Sequence, residues 1–115
     1  MDKKDNTRSG GFRVPVQNVS GEYAMKGTVD KCEIVDVSFA GLGIKVTHII
    51  ADGDLVDVRF VLPELGKVYC KGKVVSVRGG RVGLSFLDIP EKSRKLINKY
   101  IENYTNSNIN KMLKR

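Results

Sequence analysis

The stretch KVYCKGKVVSVRGGRVGLSFLD, Lys67 to Asp88, decides the fold class. Its first half, KVYCKGKVVSVR, is rich in valine and reads as one long strand. Gly72 inside it marks a bulge or sharp bend of the kind that curls a sheet toward closure. Gly79 and Gly80 tolerate positive φ without penalty, so the chain reverses there in a tight hairpin and continues as a second strand, RVGLSFLD.

The same grammar holds upstream. DLVDVRFVL alternates Leu55, Val56/Val58, Phe60 and Leu62 and stops at Pro63. GLGIKVTHI and CEIVDVS read as two strands on either side of a turn at Phe39-Ala40-Gly41. VPVQNV opens the series, and Pro15 assigns it to an edge or a strand start, because proline cannot donate to a ladder. Six strand-like segments, short turns and no intervening helix predict an all-β domain, a six-stranded antiparallel β-barrel with its edges hidden by closure.

Downstream the period changes. DIPEKSRKLINKYIENY offers Asp88 as N-cap, Pro90 in the first turn and Glu91 three residues after the cap. Leu96, Ile97, Tyr100, Ile101 and Tyr104 form one apolar stripe, which predicts a C-terminal helix covering a mouth or flank of the barrel. TNSNINKMLKR is Asn-rich and basic and reads as a frayed tail. The expected organisation is a flexible basic leader over residues 1–12, a barrel plus helix over 13–104 and a polar basic tail over 105–115.

Composition removes several function classes. The chain has 115 residues, enough for one self-sufficient core. It has no signal-peptide h-region and no run near the ~18 apolar residues of a membrane span, so the expected setting is cytoplasmic with no membrane partner. Cys32 and Cys70 stand alone in sequence and suit buried, inert thiols rather than a metal site. His48 reads as a strand-end or loop residue. No nucleophile elbow, carboxylate pair or phosphate-binding Gly-Lys-Ser/Thr motif is present, so no enzyme, cofactor or metal is expected.

The net charge of +7 is unevenly spread. Residues 14–87 carry nine Lys/Arg against eight Asp/Glu, whereas residues 1–13 carry four against two and residues 105–115 three against none. A nucleic-acid-binding barrel spreads its cations over its own face among exposed aromatics, and this pattern is absent, so nucleic acid is disfavoured as a partner.

Two segments carry the functional signal. In DVSFAGLGI, Asp36 and Ser38 lie two apart on a strand, and Gly41 allows a tight turn close to a ligand. Asp36 can accept from the N1 and N2 donors of a guanine, and Ser38 can donate to or accept from a neighbouring polar atom. In TRSGGFRVP, Arg8 and Arg13 flank Gly10-Gly11 just before the first strand. An arginine fork can chelate a phosphate or guanine O6/N7 in a bidentate way.

RVPV at the first strand, Asp-x-Ser-x-x-Gly-x-Gly about twenty residues on, VRF after a Gly-Asp, VGLSF and a closing amphipathic helix together resemble the PilZ family, over Arg8 to Tyr104. The resemblance implies a six-stranded β-barrel that binds the bacterial second messenger cyclic di-GMP. It implies an Arg-x-x-x-Arg motif before the first strand and an Asp/Asn-x-Ser-x-x-Gly motif on the barrel, here Asp36, Ser38 and Gly41. Arg13 fills one arginine position. The strict spacing of the other falls on Ser9, and Arg8 stands one residue early, a gap of ~3.5 Å that Gly10-Gly11 can absorb. Arg8, Arg13, Asp36, Ser38 and Gly41 are then the expected ligand residues, with the leader closing over the ligand and signalling to a protein partner in trans, in motility, adhesion or biofilm control. The alternative is a PilZ-like scaffold that no longer binds the nucleotide and acts by protein contacts in pilus or flagellar machinery.

Overall fold

A computed structural model describes residues 12–113, with side-chain surroundings to residue 108. Residues 1–11, including Arg8 and Ser9, lie outside the described residues. Among the described residues seven strands precede one helix: β1 (Val14–Pro15), β2 (Ser20–Met25), β3 (Thr28–Val37), β4 (Gly41–Lys45), β5 (Leu55–Leu62), β6 (Gly66–Arg78), β7 (Arg81–Asp88) and α1 (Glu91–Leu113). All pairings are antiparallel and run β3-β2-β5-β6-β7-β4, with β4 returning to β3 to close a six-stranded barrel. β1 stays outside the ring and, among the described residues, pairs only with β3, as Pro15 predicts.

The membership of the ring differs from the sequence reading. VPVQNV supplies only two paired residues, and the sixth barrel strand is SGEYAM, which carries no β-branched residue and was not expected to be a strand. It pairs on both sides, with β3 and with β5, and this context outweighs its weak intrinsic preference. Its hairpin to β3 turns at Lys26 (φ 53°) and Gly27 (φ 81°), two left-handed residues as a two-residue hairpin requires. The Gly79-Gly80 hairpin takes the same form, with φ of 53° and 85°.

The core fills the ring from alternate positions of each strand. Ile34, Val37, Leu42, Ile44, Leu62, Cys70 and Val74 are fully buried, and Val14 of β1 joins them. α1 lays Ile97 and Ile101 onto this core, with Leu96, Tyr100 and Tyr104 at the margin, so the apolar stripe covers the barrel as expected. Ser93 is buried and its hydroxyl accepts the Tyr69 amide at 2.9 Å, which ties α1 to β6. Asp88 ends β7 rather than capping α1, and Pro90 takes the cap position: its carbonyl accepts the Arg94 amide at 3.0 Å. The helix also runs on to Leu113, beyond the Tyr104 boundary of the apolar stripe. No helix among the described residues is long and apolar enough to cross a membrane.

Candidate functional site

Strict alternation along β3 would turn Asp36 into the barrel, because Cys32 and Ile34 both point inward. A bulge between Ile34 and Asp36 inserts Val35 as an extra residue opposite β4. The bulge resets the parity, and Asp36 faces outward. β6 does the same against β7 between Val74 and Ser76, where Val75 is the extra residue. Ser76 and Arg78 therefore share the outer face with Asp36, although Val74 just before them is in the core.

The register lines these residues up across four strands. Asp36 lies opposite Gly43, Gly43 opposite Gly83, and Gly83 opposite Ser76. Two glycines in the middle leave a bare backbone floor between a carboxylate and a hydroxyl. A Cβ on Gly43 would stand 2.7 Å from Asp36 Oδ1, and one on Gly83 would stand 2.5 Å from Ser76 Oγ, so a side chain there would have to displace the carboxylate or the hydroxyl. The next row of the same face is cationic: Lys45 lies opposite Arg81, and Arg81 opposite Arg78. Of these, Arg78 and Arg81 line an open groove of about 230 Å³ with Arg13, Asp36, Gly43, Ser76 and Gly83.

Asp36 is the hub of the groove. Arg13 Nη1 donates to its Oδ1 at 3.0 Å and Arg81 Nη2 reaches its Oδ2 at 3.4 Å. The carboxylate is only 14% exposed while the two guanidinium side chains are 46% and 60% exposed, so the anion is held and the cations can move. Among the described residues, three arginines against one carboxylate leave the groove positive, suited to an anionic ligand.

The sequence-expected residues divide into two groups. Arg13 and Asp36 meet in the groove. Ser38 and Gly41 lie away from it, in the turn between β3 and β4, and Arg8 is outside the described residues. The Ser38 hydroxyl is buried, donates to the Gly41 carbonyl at 3.2 Å, and accepts the amides of Ala40 and Gly41 at 3.2 and 3.1 Å. Gly41 packs so tightly on β7 that a Cβ would overlap the Leu84 carbonyl oxygen. This pair shapes the turn that follows Asp36. Phe39, in that turn, is half exposed, and its carbonyl accepts Arg94 Nη1 of α1 at 3.4 Å.

Arg78, Arg81, Ser76 and Gly83 were missed. The available signal was VRGGR: across a two-residue hairpin the flanking residues face each other, so the two arginines had to be neighbours. A larger concavity of about 700 Å³ lies elsewhere, on the outer face of β2, β5 and β6, over Gly21, Phe60, Val61 and Val68. Its Arg59 is paired with Glu22 at 2.9 Å, and among the described residues no second cation converges on that carboxylate.

A sequence profile of the PilZ domain matches residues 6–103. The chain belongs to the PilZ domain family. None of the curated proteins matches it. Among solved structures, the PilZ domain of YcgR from Escherichia coli, determined with c-di-GMP, is 13% identical with a TM-score of 0.68, over 90% of this chain and 96% of that one. The Bacillus subtilis inhibitor of motility MotI/DgrA is 12% identical with a TM-score of 0.70, over 82% of this chain and 50% of that one. The Borreliella burgdorferi PlzA protein in complex with c-di-GMP is 22% identical with a TM-score of 0.53, over 87% of this chain and 38% of that one. The PilZ fold is thus shared with proteins that bind this dinucleotide, and the six-stranded barrel with its outer strand and C-terminal helix is that of PilZ domains.

Proposed function

We propose that this protein is a non-catalytic receptor for cyclic di-GMP and that its ligand seats over Gly43 and Gly83 against Arg13 and Asp36. The observation that carries the reading is the Arg13–Asp36 pair, 3.0 Å apart at the rim of a glycine-floored groove. A guanine edge offers N1 and N2 donors to the Asp36 carboxylate and O6 and N7 acceptors to an arginine fork. Ligand binding then exchanges a salt bridge inside the protein for charge-assisted contacts to the nucleotide. Ser38 and Gly41 serve by fixing the turn, and Arg8 adds a second guanidinium from the leader. The output is a change in how the leader and the adjoining surface meet a protein partner, in motility, adhesion or biofilm control.

Calorimetric titration with cyclic di-GMP tests this. Arg13→Ala and Asp36→Ala are each expected to weaken binding more than ten-fold, and Arg8→Ala less. A silent titration of the wild type at tens of micromolar ligand overturns the receptor reading. It would favour the scaffold alternative, which Ser9 in place of the first motif arginine supports.

A further inference from the structure

Arg78 and Arg81 are cross-strand partners at the tip of the β6–β7 hairpin, and Lys45 faces Arg81 from the other side. Like charges placed directly opposite each other destabilise a sheet. Glu33 lies opposite Lys45, and Arg81 has one oxygen of Asp36 at 3.4 Å, shared with Arg13 on the other oxygen. Arg78 has no carboxylate within ion-pair distance among the described residues, although it lines the same groove. A hairpin tip needs no arginine to fold: its glycines already set the turn. The bulge at Val75 is what turns Ser76 and Arg78 toward the groove rather than toward the core.

We propose that Ser76, Arg78 and Arg81 form a phosphate-binding wall facing the Arg13–Asp36 wall across the Gly43–Gly83 floor. The inference rests on the nucleotide-receptor reading and extends it to residues on different strands. Asp36 holds Arg81 in the free protein. When a guanine takes up the carboxylate, Arg81 is released and turns to the phosphodiester, where Arg78 supplies the second guanidinium and Ser76 a hydroxyl donor. One carboxylate thereby acts as the place-holder for the ligand's own charge. Because a phosphate also accepts from a point charge, lysine should serve at these two positions better than glutamine.

The test is calorimetric titration of the full chain with cyclic di-GMP at two salt concentrations. The wild type is compared with Arg81→Gln, Arg78→Gln, Arg81→Lys and Arg78→Lys, each checked for its fold by circular dichroism. Both glutamine variants are expected to bind at least ten-fold more weakly, the lysine variants within about three-fold of wild type, and the glutamine variants with a shallower loss of affinity as salt rises. A wild type that binds while both glutamine variants match it overturns the phosphate wall and leaves the receptor reading standing. Lysine variants as weak as the glutamine ones also overturn a phosphate role. A wild type that does not bind overturns both.

Discussion

At the scale of single residues, the site depends on one side chain's direction. Asp36 reaches solvent because Val35 is unpaired in the β3–β4 ladder, and the motif residues around it do not share one job. Ser38→Ala strips the turn of a buried hydroxyl that satisfies two amides, so a stability loss of about 1–3 kcal/mol is expected in urea unfolding. Gly43→Ala is different in kind, because its new methyl meets the side-chain carboxylate of Asp36 rather than backbone. We expect ligand affinity to fall about ten-fold in titration while the melting temperature changes by less than about 3 °C, roughly a sub-kcal/mol effect at this size. Arg13 and Asp36 were legible in sequence because each sits beside its own strand signal. Their meeting with Arg78 and Arg81 was not, since two single-residue bulges in β-branched runs leave no compositional mark and each reverses which residues face out.

Secondary-structure elements show the same division. Long valine-rich strands and the helical stripe were readable because burial on one face imposes a period. β2 was not, because Gly21, Ala24 and Glu22 lack strand propensity and its turn is Lys-Gly rather than Asn-Gly. A lysine at φ 53° carries a cost that asparagine bears more easily, and its ion pair with Asp54 is long at 4.0 Å and exposed. Lys26→Asn is therefore expected to stabilise the protein by up to about 1 kcal/mol in urea unfolding. In α1, Ile97 is 1% exposed against the barrel. Ile97→Ala should cost about 2–4 kcal/mol through lost burial and an unfilled cavity, measured the same way. The helix start was misplaced in sequence because Asp88 looks like a cap, yet it still pairs with Lys71 at the end of β7.

For the molecule as a whole, the closed ring sets both its stability and the way it can be approached. Its interior holds Cys32 and Cys70 as thiols, which burial pushes up to about 11 and about 12 from 9.0. The folded state thus disfavours thiolates that the unfolded chain forms freely. Stability from this source is complete below about pH 9 and is lost as pH rises through the two raised values. Urea midpoints are expected to fall steeply between pH 9 and 11, with a flatter slope in a Cys32→Ala/Cys70→Ala variant. Both thiols should also resist alkylation at pH 8 until the protein unfolds. The ring has a second consequence. All six barrel strands have neighbours on both sides for part of their length, and among the described residues the edges left free are β1, two residues long and half proline, and short stretches at Thr28–Cys32 of β3 and Gly66–Cys70 of β6. Recognition by strand addition, in which a visiting peptide extends a sheet through its backbone, has only these short edges to grip. A partner that docks on the described surface therefore reads mainly side chains, and its binding should be open to point mutation residue by residue.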